Sequence, residues 1–126
     1  MTKSLTNINV LDFSHALSGP FCSMLLAELG AKIIKIEPPH GDHFRPANGG
    51  ATFAVVNRNK RSLCLDLKQP SASIIMERLI SKCDVILENF TPGTMKRLGY
   101  HYEALKKMKP DIIYASISGF GSTGPY

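Results

Sequence analysis

Four segments carry the residue types that could do chemistry. In the first, residues 57–68 (NRNKRSLCLDLK), a cationic turn of Arg58, Lys60 and Arg61 runs into a short apolar-rich strand, Leu63 to Leu67, that ends at Lys68. Charge at the mouth of a buried strand is how an α/β protein holds an anionic, phosphate-bearing ligand. The plainer reading is a solvated basic loop beside an edge strand, since most charge runs are solvated faces. The other three segments are LDFSHALSGPF at 11–21, ENFTPGTMKRLG at 88–99 and SISGFGSTGPY at 116–126. In the second of these, Pro92-Gly93 opens a helix whose N-terminal N–H groups attract phosphate, and Arg97 lies one turn in. Asn89 can read an amide or ring edge, and Phe90 can stack on a flat ring.

His15 invites a catalytic role, but no nucleophile or carboxylate partner stands near it in sequence, so a capping or hydrogen-bonded histidine before a helix is the simpler expectation. Asp42, His43 and Arg45 match no metal-ligand spacing and read as a solvated loop. Asp12 and Asp66 fall inside strand patterns and are expected to satisfy local backbone or a nearby lysine. The glycines of GFGSTG at 119–124 follow the fifth strand with no helix after them, which argues against a simple NAD domain.

These segments need a frame to hold them. INVLDF at 8–13 and KIIKI at 32–36 read as buried strands, Ser62 to Asp66 as a third, DVIL at 84–87 as a fourth and DIIYASI at 111–117 as a fifth. Between the first two, Pro20 opens a helix with Phe21, Met24, Leu25, Leu26 and Leu29 as its apolar stripe and Gly30 as its C-terminal cap. Residues 38–50 form a loop, and 52–58 a short helical turn. Pro70 starts a helix through Ile80, with Ile74, Ile75, Leu79 and Ile80 on its apolar side; further helices follow at 92–99 and 102–107. Strands that alternate with helices and are nearly all apolar predict an α/β fold: a Rossmann-like parallel sheet with helices on both faces. In such a sheet the candidate residues gather at the carboxyl ends of the strands. A finished domain seldom ends on a glycine-rich loop just past a core strand, so the sequence predicts a truncated chain.

Composition narrows the function. The 126 residues suit one domain, with 44% hydrophobic and 20% charged content typical of globular chains. No apolar run is long enough to cross a bilayer, and the N-terminus lacks a signal-peptide stretch. Cys22, Cys64 and Cys83 are odd in number and share no CxxC spacing, so neither a disulfide framework nor a zinc site is expected, and a reducing cytoplasm fits. Each lies in an apolar stretch and reads as a buried core thiol. The net charge of +5 comes without a basic tail, a nucleic-acid motif or any Trp, so a small polyanion such as a nucleotide-like cofactor explains it better than nucleic acid.

Taken together, VLDFSHALSGPFCSMLLAELGAKIIKIEPP at 10–39, NRNKRSLCLDLKQP at 57–70, CDVILENFTPGTMKRLG at 83–99 and KPDIIYASISGFGSTGPY at 109–126 resemble the class III CoA-transferases of the CaiB/BaiF type. That family includes formyl-CoA:oxalate and carnitine CoA-transferases and α-methylacyl-CoA racemase. The resemblance implies that residues 1–126 are the incomplete N-terminal part of a CoA-binding large domain. It implies coenzyme A or an acyl-CoA as substrate, a carboxylic acid as co-substrate, no metal, no membrane and no nucleic acid. By position, His15, Ala16, Leu17 and Ser18 would border the thioester and pantetheine end, and Leu65 and Lys68 the adenosine and its phosphates. Asn89 and Phe90 would contact the nucleotide, and Thr94 and Arg97 the diphosphate. Pro38 stands where some members place a phosphate-binding arginine, leaving more of that load to Lys68, Arg97 and the 58–61 cluster. In the transferases an aspartate attacks the thioester; it would lie beyond Tyr126, so this chain is expected to hold no catalytic nucleophile and to be inactive alone. Oxalate-using members carry glutamine where this chain has Leu17, which weighs against a strict formyl-CoA:oxalate enzyme and leaves another acid open. The family forms interlocked homodimers in its full-length form. A racemase or isomerase on the same scaffold, or a non-catalytic CoA-binding remnant, are the alternatives.

Overall fold

The structure is a computed structural model that describes residues 2–125. Five strands make one parallel sheet in the order β3-β2-β1-β4-β5. They are β1 Asn9–Asp12, β2 Lys32–Glu37, β3 Lys60–Cys64, β4 Val85–Glu88 and β5 Ile113–Ser116. The helices are α1 Ser18–Glu28, α2 Ala51–Asn57, α3 Ala72–Ile80, α4 Thr94–Leu98 and α5 Tyr102–Met108, with a 3-10 turn at Ala47–Gly50 before α2. The chain steps from β1 outward through β2 to β3, then crosses back to the far side of β1 for β4 and β5. The order therefore reverses between β1 and β4, and a crevice opens at the carboxyl ends of the strands at such a point.

Side chains alternate across a strand, so each strand serves two layers. Val10, Ile33 and Leu87 pack with Ala27 and Ala31 at α1, while Leu11, Ile36 and Ile86 pack with Met76 and Ile80 of α3 and Leu105 of α5. Burying each of these aliphatic side chains stabilises the fold by about 1.5–3 kcal/mol. Packed clusters lie on both faces of the sheet, as its apolar-rich strands predict.

Three expectations on packing need correction. The apolar stripe expected on α1 faces the core only in part: Met24 is buried and Leu26 packs against the core, whereas Phe21, Leu25 and Leu29 are exposed, and the rest of the buried face is Gly19, Pro20, Ser23 and Ala27. Small residues let α1 approach the sheet closely; a Cβ at Gly19 would come within 2.2 Å of Ser14 Cβ. On α3 Ile80 is buried and Leu79 packs against the core as expected, but Ala72 and Met76 are the other buried residues and Ile74 and Ile75 are exposed. The third strand lies earlier than expected, at Lys60–Cys64, so Leu65 and Asp66 fall in the loop beyond it, and Cys64 is exposed instead of buried. Cys83 is buried as expected, and burial pushes its thiol up to about 11.

The Gly30 cap forms as anticipated. Gly30 adopts φ 107°, its N–H donates to Ala27 O at 3.0 Å, and the Ala31 N–H donates to Leu26 O at 3.0 Å. These two bonds are the Schellman pattern that ends a helix on glycine. At Gly19 the constraint is space. Gly19→Ala should destabilise the chain by about 1–3 kcal/mol through forced displacement of Ser14, read as a lower urea midpoint; an unchanged midpoint would mean that α1 is not pressed against the 13–18 loop.

Candidate functional site

Two different environments meet at the carboxyl ends of β1 and β2. On the α1 side lies a buried lattice of charge. Asp12 pairs with Lys35 in register across the β1–β2 ladder, and both side chains are 1% exposed or less. Asp12 accepts the Ser14 N–H at 2.9 Å, the hydroxyls of Ser14 and Ser23, and Lys60 Nζ at 3.1 Å. Lys35 Nζ donates to Ser14 O at 2.5 Å and lies 2.9 Å from Asp42 Oδ2. Glu37 accepts Arg45 through both oxygens at 2.7 Å, the Ser62 hydroxyl at 2.7 Å and the Asp42 N–H at 3.1 Å. Burial alone would raise Glu37, but the bonds from Arg45, Ser62 and the Asp42 amide bring it down to about 2. Burial would likewise raise Asp42; the Phe44 N–H and Lys35 outweigh it and hold this carboxyl below its usual range. For Lys60 burial dominates and pulls the ammonium down despite Asp12.

On the other side lies an apolar-floored cavity of about 450 Å³. Phe13 and Ile36 form its floor, and the loops after β1, β2, β3 and β4 form its walls. His15, Ala16, Pro38, Leu65, Lys68, Asn89, Phe90 and Thr94 all line it, so residues scattered over 80 positions converge on one crevice. Leu17 and Ser18 do not; both are exposed, and Ser18 lines a second hollow of about 470 Å³ on the far side of Phe90, with Ser118 and Gly119. Arg97 is also exposed and outside the cavity wall, donating to Thr94 Oγ1 at 2.8 Å. His40, Leu67 and Leu98 also line the cavity and were not singled out from sequence, and so do His43 and Asp66, which were read there as solvated loop and as local backbone bonding. His40 and His43 directly flank Gly41 and Asp42, and their place beside His15 on the cavity wall comes only from the fold.

Several readings of individual residues change. The 58–61 cluster does not stand at the cavity mouth: Arg58 is tied to Glu28 of α1, and Lys60 is buried against Asp12. Both precede or open β3, at the end of the sheet opposite Leu65 and Lys68. Asp42 is not a solvated loop residue but is 1% exposed, and it supplies the carboxylate that His15 lacks in sequence, with Oδ2 3.9 Å from His15 Nδ1. The Asn89 amide is committed to the protein: Oδ1 accepts the His15 N–H and Nδ2 donates to His15 O, both at 2.8 Å. The His15 ring lies between Phe90 and His43, each with its centroid 5.4 Å away. Burial, then the charge of Lys35, lowers the pKa of His15 against the opposing pull of Asp42. Asp66 meets the expectation of local backbone bonding, accepting the Lys68 N–H at 3.1 Å. Among the described residues no group of three His, Cys, Asp or Glu could hold a metal ion, and no helix is long and apolar enough to cross a membrane.

A doubly wound sheet with its cavity at the strand-order reversal defines a ligand-binding α/β class. The chain matches CoA-transferase family III over residues 5–126 and belongs to that family. It is 46% identical, over its whole length, to formyl-CoA:oxalate CoA-transferase of Bradyrhizobium diazoefficiens, and covers 31% of that protein. It is 50% identical over 92% of its length to acetyl-CoA:oxalate CoA-transferase of Acetobacter aceti, again covering 31%. Among solved structures it superposes on a CaiB/BaiF family protein from Brucella suis with a TM-score of 0.95, 36% identity, all of this chain and 36% of that one. A hypothetical protein from Mycobacterium tuberculosis gives a TM-score of 0.93 at 39% identity, covering 98% of this chain and 35% of that one. The chain thus spans about a third of the length of these relatives.

The lattice has a pH signature. Glu37 ionises at about 2 in the fold against 4.5 ordinarily. Its contribution is fully present above about pH 4.5 and is lost as pH falls through about 2, amounting to on the order of 3 kcal/mol. Urea unfolding at a series of pH values should show wild type losing more stability than Glu37→Gln between pH 5 and pH 2. Parallel acid profiles would show that Glu37 is not held by Arg45 and Ser62.

Proposed function

We propose that this chain is the N-terminal portion of the CoA-binding large domain of a class III CoA-transferase, and that the cavity at the carboxyl ends of β1 to β4 receives coenzyme A. The observation that carries this reading is the cavity itself: an apolar floor, an aromatic wall at Phe90 and a lysine at Lys68, in a chain of this family. A CoA thioester has matching parts, with an adenine to stack, phosphates to neutralise and an apolar pantetheine arm. His15 and Ala16 lie where the thioester end would arrive, Leu65 and Lys68 near the adenosine and its phosphates, and Thr94 with Arg97 beside the diphosphate.

In the full-length enzyme the chemistry is CoA exchange between an acyl-CoA and a carboxylic acid. An aspartate carboxylate beyond Tyr126 attacks the thioester carbonyl and expels CoA thiolate, leaving a mixed anhydride. The thiolate then attacks the aspartyl carbonyl, releases the first acid and forms an enzyme thioester. The incoming acid and CoA reverse these steps. Two relatives are named for oxalate as one acid, and Leu17 in place of an amide favours a less polar acid here. The working enzyme is an interlocked homodimer in a reducing cytoplasm, consistent with three free cysteines. The names of the relatives favour transfer over epimerisation.

Titrating CoA into the isotope-labelled chain should give weak binding, with the largest NMR shift changes at His15, Ala16, Leu65, Phe90 and Thr94. Phe90→Ala should weaken it by about 1–3 kcal/mol, the scale of stacking on a base, and Arg97→Ala should weaken it with the fold retained. The chain alone should show no CoA exchange between acids. Shift changes confined to other surfaces would overturn the site, and exchange by the purified chain would overturn the placement of the nucleophile.

A further inference from the structure

Asp42 contacts both walls of the cavity yet does not line it. Its side chain is fully buried. Oδ1 accepts the Ala16 N–H at 3.4 Å on the 13–18 loop and the Phe44 N–H at 2.9 Å on its own loop. Its N–H is anchored on Glu37 Oε2. Oδ2 makes no aligned hydrogen bond; it pairs with Lys35 at 2.9 Å and faces His15 Nδ1 at 3.9 Å. Nδ1 is itself buried with no hydrogen-bond partner among the described residues.

The backbone at this point is strained. Ala16 has φ 63°, a left-handed conformation that is unfavourable for a non-glycine residue. Such a residue persists only where its surroundings over-determine it. Three ties do so: Lys35 on Ser14 O, the two-point clamp of Asn89 on His15, and Asp42 on the Ala16 amide. Lys35 and Asp42 are coupled, because leaving either alone would strand a buried charge.

We propose that Asp42 is the positioning residue of this cavity: it joins the 13–18 and 38–46 loops and fixes the pose of His15 without touching the ligand. His15 is then a side chain that meets the ligand, with the His43 ring packed against it on the same wall. The proposal concerns the free chain, and rests on the CoA reading only where CoA affinity is measured. The charged and titratable groups that face His15 are Lys35, Asp42, His43 and Asp12; the carboxylates raise its pKa, and burial, Lys35 and His43 lower it.

The test is an NMR titration of the His15 ring in wild type and in Asp42→Asn, which keeps the shape of the side chain and an acceptor for Ala16. With the carboxylate gone, the His15 pKa should fall below its wild-type value, which reports the Asp42 carboxylate facing the ring. CoA should bind the variant about tenfold more weakly, the scale for losing an outer partner that orients a binding side chain. A folded variant with an unchanged His15 pKa, or with unchanged CoA affinity, overturns the proposal. If the variant does not fold, wild type decides: the Ala16 amide, outside any helix or strand, should exchange slowly with deuterated solvent, and fast exchange overturns the proposal. If CoA perturbs nothing in wild type while the His15 pKa still falls in the variant, the CoA reading fails and the role of Asp42 stands.

Discussion

A lysine with 1% exposure at the end of a central strand constrains everything around it. Lys35 cannot reach water, so its charge must be met inside the protein. Two groups meet it, the Ser14 carbonyl and the Asp42 carboxylate, and they come from different loops. Asp12 beside it is answered in turn by Lys60 and by Ser23 of α1. Buried pairs of this kind add little net stability against an apolar core, but breaking one is costly. Their effect is to specify geometry: each loop has one arrangement that leaves no charge unpaired.

That geometry faces the cavity. The alternation of β1 and β2 sends Asp12, Lys35 and Glu37 to the α1 side and Phe13 and Ile36 to the other. The polar lattice therefore lies behind the apolar floor and holds the loops that rise from it. Gly19 lets α1 press against Ser14, Asn89 pins His15 from β4, and Asp42 reaches across from the loop after β2. The crevice at the strand-order reversal is shaped before any ligand arrives, which limits the ordering cost on binding. The histidines, Phe90 and Lys68 stand on its walls as groups that can read a ligand.

The elements were legible in the sequence because apolar runs and Pro and Gly punctuation are local signals. Gly30 and the β4–α4 junction fell where their residues demanded. The register of β3 was not legible: Lys60 reads as a loop cation, and its partners include Asp12 and the Pro20 carbonyl, 48 and 40 residues earlier, which let the ammonium be buried. The α1 stripe misled for a similar reason. A helix that must lie close to a sheet buries its small residues, and hydrophobicity does not say which face that will be. The candidate cavity residues converge because each sits just past a strand end, which is readable. Asp42 and His43 were read as solvated loop, and His40 was not singled out, because they matter through Lys35 and His15, which are remote in sequence. One signal was present: in KIIKIE the residues Ile33, Lys35 and Glu37 share a face, so two charges on a covered face required partners.

The most direct measurement is a crystal structure of the chain with coenzyme A bound. A preformed crevice predicts CoA between His15, Leu65 and Phe90, with the 13–18 and 38–46 loops and the Lys35–Asp42 pair where they are in the free chain. CoA bound elsewhere, or bound here only after these loops separate and Asp42 leaves Lys35, would contradict the account.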